Sequence, residues 1–148
     1  MKAALLPKSA RVVVVGGGII GTSVAYHLAK MGCTDVVMLE RDRITSGTTW
    51  HAAGLMVTYG STSETSTELR KYTKELYRGL EAETGLATGF RDCGFIEIAS
   101  NKDHQHEFRR TTEFNKLMGI DVQEIGPQDI KSLFPMCKVD DVLSGFYV

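Results

Sequence analysis

Apolar positions along this chain alternate between short continuous runs and stretches with helical spacing. Residues 11–15 form a continuous β-branched run that stops at glycines, which is typical of a strand buried on both faces. Apolar residues then recur at helical spacing over 19–31, and a second apolar run at 36–39 closes on Glu40. A strand, a glycine turn, a helix and a strand in this order predict one βαβ unit with a right-handed crossover.

The pattern changes after the second strand. Residues 41–61 are rich in Gly, Ser and Thr and predict a loop with one short helix. Apolar positions three or four residues apart over 64–84 predict an amphipathic helix that ends at Gly85. The remaining predicted elements are, in chain order, a strand at 95–99, a helix over 102–118, a strand at 120–125, a short helix over 127–134 and a strand at 142–148.

Composition narrows the function classes. The 148 residues are 43% hydrophobic and 24% charged with a net charge of −1, which is typical of an ordinary globular protein and predicts no nucleic-acid partner. No apolar run is long enough to span a bilayer, so we expect no membrane partner. The cysteines lie far apart and His104 and His106 point away from each other on a helix, so we predict no metal site.

A glycine fingerprint follows the first strand. Gly16 permits the tight turn out of the strand, Gly18 lets the backbone approach a pyrophosphate, and Gly21 lets the helix pack closely on the strand. The free backbone amides at Ile19 and Ile20 lie at the positive end of the predicted helix, where phosphate charge is stabilised. These residues therefore predict a dinucleotide site.

Glu40 stands at the end of the second strand, at the spacing that this fingerprint requires. There a carboxylate accepts hydrogen bonds from both ribose hydroxyls, and its charge disfavours a 2′-phosphate, which argues against NADP. The fingerprint by itself leaves NAD and FAD open.

These features predict an α/β fold: a Rossmann-like βαβ unit followed by an α+β segment of the same domain. We assign residues 1–10 to an N-terminal extension and 11–148 to the N-terminal part of the domain. A doubly wound sheet needs at least one more βα excursion, and the chain ends within an apolar, strand-like run. We therefore expect an incomplete domain from a longer protein.

Residues 46–55 bear on the choice between NAD and FAD. Together with the glycine turn it resembles the D-amino-acid-oxidase-like flavoenzymes, and within them the sarcosine and dimethylglycine dehydrogenases. The segments that carry the resemblance are VVGGGIIG at 14–21, AYHLAK at 25–30, LER at 39–41 and SGTTWHAAGL at 46–55, with weaker similarity as far as 139–141. The resemblance covers nearly the whole chain and implies a truncated FAD-binding domain.

The resemblance also implies how the cofactor is held. In that family the histidine matching His51 is bonded through a ring nitrogen to the 8α carbon of the flavin, so covalent FAD is implied here. Glu40 and Arg41 are implied to flank the adenosine ribose. The other implied cofactor-binding residues offer amides and hydroxyls to phosphate (Gly47, Thr48, Thr49), pack near the flavin (Trp50, Leu55) or complete the segment (Ala52, Ala53, Gly54).

The activity implied by the resemblance is oxidative demethylation of an N-methyl amino acid by an FAD-dependent amine dehydrogenase. Sarcosine is the first choice of substrate, because 46–51 and 98–101 look closest to that branch. Family members pass their electrons to an electron-transferring flavoprotein, and the one-carbon unit to tetrahydrofolate where the full-length protein binds it. Eukaryotic members work in the mitochondrial matrix and bacterial ones in the cytoplasm. We assign no catalytic residue and expect the fragment itself to be inactive.

Three alternatives stay open at this stage. In the first alternative, the substrate is dimethylglycine or another secondary or tertiary amine. In the second the protein is a non-catalytic regulatory homologue, because a regulatory phosphatase subunit resembles the same family, although that relative lacks the linking histidine. The third, an NAD-dependent dehydrogenase, leaves His51 without a role.

Overall fold

The computed structural model describes residues 7–148, so the first six residues of the predicted extension at 1–10 lie outside the described residues. The chain forms two compact units, Met1–Leu55 (unit 1) and Met56–Val148 (unit 2). Every helix among residues 7–148 is too short or too polar to cross a bilayer. Each unit is described by itself below.

Unit 1 contains the predicted βαβ unit. Strand β1 (Val12–Val15) pairs in parallel with β2 (Val36–Leu39), and helix α1 (Ile19–Lys30) connects them. A 3₁₀ turn at Thr48–His51 is the short helix predicted in the following loop. The order and the parallel pairing confirm the Rossmann-like part of the fold prediction.

The prediction that β1 is buried on both faces is wrong for the described chain. Burial alternates along the strand, and Val13 and Val15 are 52% and 83% exposed. The reason is that α1 packs against the two-stranded sheet, while no other element of the described part of unit 1 covers these two side chains. A continuous valine run therefore forms the strand without deciding how many of its faces are covered.

Unit 2 follows the predicted α+β pattern. Its central strand β5 (Ser144–Tyr147) pairs antiparallel with both β3 (Ile96–Ala99) and β4 (Gln123–Ile125), in the order β3-β5-β4. The strands predicted at 120–125 and 142–148 are shorter than expected. The first covers Gln123–Ile125, after the buried residues Ile120 and Val122, and the second covers Ser144–Tyr147. The elements are α2 (Glu64–Thr84), β3 (Ile96–Ala99), α3 (Lys102–Leu117), β4 (Gln123–Ile125), α4 (Pro127–Leu133) and β5 (Ser144–Tyr147).

Local signals set the helix ends in unit 2. The Ser63 side chain accepts a hydrogen bond from the Ser66 amide at the start of α2, and Asn101 Oδ1 accepts one from the His104 amide at the start of α3. Helix α2 ends at Gly85, which has the left-handed conformation with a φ of +71°. The predicted end of α2 is thus confirmed.

The core of unit 2 lies on both faces of its sheet. Phe146 on β5 is fully buried, and its ring meets the Phe108 ring of α3 edge-on at 5.7 Å between centroids. On the opposite face Gly145 leaves room for Ile130 of α4, which is also fully buried. The sheet is therefore enclosed by α3 and α4.

Near the start of unit 2, Thr58, Tyr59 and Ser61 are buried. Tyr59 is 2% exposed, its hydroxyl donates to the Phe108 carbonyl at 3.1 Å, and burial raises the pKa of Tyr59. Asn115 Nδ2 donates to the Ser61 carbonyl at 2.8 Å. Because buried polar groups that lose their partners cost free energy, these bonds fix the backbone of this segment.

We expect Gly145→Val to lower the free energy of unfolding by about 1–3 kcal/mol, the usual cost of overpacking a core. A Cβ atom at Gly145 would lie 2.8 Å from Ile130 Cδ1 and 3.0 Å from Ile96 Cγ2, and valine adds two methyl groups to that atom. Urea unfolding followed by circular dichroism measures the change.

The matched control is Gly79→Ala, at an exposed position of α2 where an added Cβ meets open space. Alanine is the better helix former, so this variant should gain up to about 1 kcal/mol. Unchanged stability of Gly145→Val would show that Ile130 does not need the space at Gly145.

Candidate dinucleotide-binding site

The glycine turn of unit 1 is held by a contact between backbone atoms. Gly16 has a φ of +105°, and its amide donates to the Leu39 carbonyl at 2.8 Å. A Cβ atom at Gly21 would lie 1.8 Å from the Gly16 carbonyl oxygen, so only glycine fits there. The first turn of α1 therefore rests directly on the end of β1, as the close-packing role of Gly21 requires.

The N-terminus of α1 presents unused hydrogen-bond donors. Its N-cap, Gly18, has no side chain to accept from the helix amides. The Ile19 amide donates to Thr49 Oγ1 at 2.9 Å, whereas the amides of Ile20 and Gly21 find no acceptor among residues 7–148. Such amides, together with the helix dipole, favour a bound anion.

Glu40 is hydrogen-bonded to the glycine turn. Its carboxylate accepts from the Gly17 amide at 2.7 Å and from the Asp42 amide at 3.1 Å. The Gly17 hydrogen bond is the main reason that the pKa of Glu40 lies below its usual value, so the carboxylate is ionised at neutral pH. The sequence predicted a ribose acceptor here, and the structure adds a second role in holding the turn.

The loop after β2 folds back over the glycine turn. The Thr45 amide donates to the Gly17 carbonyl at 2.9 Å, and Thr45 is a non-glycine residue with a positive φ, +67°. A β-branched residue in this conformation is strained, and such strain is found preferentially at functional sites. Nothing in the sequence signals this position, because threonine is not a residue typical of the left-handed region.

The 3₁₀ turn brings two rings together. The Trp50 and His51 rings lie 3.7 Å apart between centroids with an angle of 31° between their planes. Trp50 Nε1 donates to the Ser46 carbonyl at 3.1 Å. Both rings remain accessible, since Trp50 is 66% exposed and His51 is exposed.

An open groove of about 640 Å³ collects most of the predicted site residues. The later residues of the motif do not line it: Trp50 and His51, the second half of the 3₁₀ turn, and Ala52, Ala53, Gly54 and Leu55 after the turn. Sequence reasoning missed several lining residues, namely Val14, Val15, Val24, Asp42 and Ser46. The predicted residues that do line it are Gly16, Gly18, Ile19, Ile20, Gly21, Glu40, Arg41, Gly47, Thr48 and Thr49.

The donors and acceptors of this groove suit a dinucleotide. Amides without an acceptor among residues 7–148 lie at the N-terminus of α1, and an ionised carboxylate follows the second strand. Within the part of the chain that the structure describes, no three His, Cys, Asp or Glu side chains gather in a way that would hold a metal ion.

Comparison with known proteins decides the family. Residues 11–148 match the family described as FAD dependent oxidoreductase. The chain belongs to this family. The resemblance to the D-amino-acid-oxidase-like flavoenzymes is thereby confirmed.

Three relatives are similar over nearly the whole chain. Sarcosine dehydrogenase of Mus musculus is 44% identical over 97% of this chain, and dimethylglycine dehydrogenase of Rattus norvegicus is 39% identical over 93%. The pyruvate dehydrogenase phosphatase regulatory subunit of Mus musculus is 39% identical over 97%. All three are described as mitochondrial, and this chain spans 16% of the length of each.

Solved structures in the same family have this fold. L-proline dehydrogenase from P. horikoshii superimposes with a TM-score of 0.87 at 26% identity, over 96% of this chain and 37% of that one. The agreement confirms the α/β architecture of an FAD-dependent oxidoreductase domain.

Gly21→Ala should weaken FAD binding about tenfold or more, because the added Cβ would lie 1.8 Å from the Gly16 carbonyl oxygen and α1 would have to move. Isothermal titration of the unloaded full-length protein with FAD measures the change. Gly79→Ala, the same kind of substitution in open space in unit 2, should bind like the unchanged protein. Equal affinities of the two variants would show that the contact at Gly21 is not needed.

Proposed function

We propose that the protein containing this chain is an FAD-dependent amine dehydrogenase, in which this chain holds FAD and His51 attaches it covalently. One observation carries the proposal. His51 lies in the same 3₁₀ turn as Thr49, whose hydroxyl is hydrogen-bonded to the N-terminus of α1. A ring nitrogen is thus placed on the loop that borders the proposed phosphate position.

Different residues of the groove would bind different parts of the cofactor. The amides of Ile20 and Gly21 would donate to the pyrophosphate oxygens, and the ionised Glu40 would accept from the ribose hydroxyls, with Arg41 beside it. When bound, FAD supplies the acceptor for the hydride removed from the amine. The protein's part is to bind, orient and tether the cofactor.

The tethering step joins one ring nitrogen of His51 to the 8α carbon of the flavin. A neutral imidazole is a competent nucleophile near pH 7. In this attachment the imidazole nitrogen and the methyl carbon would each lose one hydrogen, two protons and two electrons in all. Bound FAD would supply the two-electron oxidant, and the electron acceptor of the enzyme or dioxygen would restore it.

We propose sarcosine as the substrate and glycine as the product. The identity of 44% to a sarcosine dehydrogenase supports this choice over dimethylglycine, for which the corresponding identity is 39%. An electron-transferring flavoprotein would accept the electrons, and tetrahydrofolate would bind only elsewhere in the full-length protein. The mitochondrial relatives support the mitochondrial matrix for a eukaryotic protein, with the bacterial cytoplasm as the alternative.

A regulatory, non-catalytic role is the second candidate. The observation that favours it is the 39% identity to a phosphatase regulatory subunit over nearly the whole chain. The exposed imidazole of His51, two residues after the groove-lining Thr49, favours the enzyme, because a tethered flavin serves repeated turnover.

Covalent attachment is tested by mass spectrometry of the denatured full-length protein. We expect it to be heavier by one FAD, and His51→Ala should abolish this increment because the attacking nitrogen is gone. His106→Ala, at an exposed position of α3 far along the chain, is the control and should retain the increment. Release of all flavin from the unchanged protein by acid precipitation would contradict covalent attachment.

The substrate is tested by anaerobic titration of the full-length holoprotein. Sarcosine should bleach the flavin absorbance near completion, and at lower concentration than dimethylglycine does. A lower half-saturating concentration for dimethylglycine than for sarcosine would show that dimethylglycine is the preferred substrate. A flavin that stays oxidised with both amines would instead favour the regulatory role.

A further inference from the structure

The N-terminus of α1 is capped from a distant part of the chain. Gly18 cannot cap it, and the acceptor for the Ile19 amide is the hydroxyl of Thr49, 30 residues further on. The approach is close, because a Cβ atom at Gly18 would lie only 3.0 Å from Thr49 Oγ1. One hydroxyl of the loop is therefore seated beside the amides proposed to receive the pyrophosphate.

Thr49 is also joined to the residue after His51. Its carbonyl oxygen accepts from the amide of Ala52 at 3.3 Å, which closes the 3₁₀ turn. The hydroxyl of Thr49 thus bonds to the helix N-terminus, and its carbonyl closes the turn that contains the histidine.

Two further contacts limit the same loop. The Thr45 amide bonds to the Gly17 carbonyl upstream, so the loop touches the glycine turn at two places. The indole of Trp50 stacks on His51 and is itself bonded to the Ser46 carbonyl. These contacts hold the backbone of His51 near the amides proposed to receive the pyrophosphate, and the Trp50 ring lies against its imidazole.

We infer that Thr49 is the positioning residue for flavin attachment: its hydroxyl bond to the Ile19 amide sets where His51 stands relative to a bound FAD. This inference rests on the covalent attachment proposed above. A reaction between two bound groups is fast only when the reacting atoms are held in the attack geometry. A threonine hydroxyl accepts from Ile19 and still has its own hydrogen for a phosphate oxygen, so cofactor binding need not break the bond.

The experiment separates binding from attachment. Unloaded full-length protein is mixed with increasing FAD, and the acid-stable flavin is followed over time. The half-saturating FAD concentration reports binding, and the limiting first-order rate constant reports attachment. For Thr49→Val we expect the rate constant at saturating FAD to fall about tenfold, the effect of one lost hydrogen bond, in addition to any rise in half-saturation from a lost phosphate contact.

Thr49→Ser keeps the hydroxyl and should restore the rate to that of the unchanged protein. Thr73→Val, which removes a hydroxyl from an exposed position of α2, is the matched control and should not change either constant. Thermal unfolding of each variant, together with exchange of the Ile19 amide in unloaded protein, checks that Thr49→Val loses the cap and not the fold.

The outcomes are distinguishable. An unchanged attachment rate in Thr49→Val, or an equally slow Thr49→Ser, overturns the positioning role while covalent attachment stands. A raised half-saturation with an unchanged rate constant also overturns it, because Thr49 would then be a phosphate ligand only. If the unchanged protein forms no acid-stable flavin, both this inference and the proposed attachment fail.

Discussion

The site depends on one contact between backbone atoms, the approach of α1 to the end of β1 at Gly21. With only 1.8 Å between the Gly16 oxygen and an ideal Cβ position, no other residue allows the helix to begin where it does. Because the helix begins there, its unpaired amides face the groove and the Gly17 amide reaches Glu40. The loop can then return to the same place through Thr49.

The local parts of this arrangement could be predicted from the sequence. Glycines at fixed spacing between apolar runs identified the βαβ unit, and the end of α2 at Gly85 followed from the same kind of short-range signal. The bonds from Gly17 to Glu40 and from Ile19 to Thr49 could not be predicted, because they join segments more than 20 residues apart. Their donors are backbone amides, which every residue type but proline carries.

Burial was the harder quantity to predict. The run 12–15 predicted two covered faces, yet Val15 is 83% exposed because covering depends on elements outside the strand pair. In unit 2 burial occurs without a strand, since Ile120 and Val122 are buried but do not belong to β4. Hydrophobic residues thus indicated that a segment packs, while hydrogen-bond partners decided whether it is a strand.

Glu40 explains how one side chain can serve both the turn and the choice of nucleotide. Its two oxygens already accept the amides of Gly17 and Asp42, so the carboxylate is oriented before a ribose arrives and little conformational entropy is lost on binding. The same bonds lower its pKa and keep it charged at neutral pH. A fixed negative charge at the end of β2 favours an unmodified ribose and opposes a 2′-phosphate, which accords with membership of a family that binds FAD.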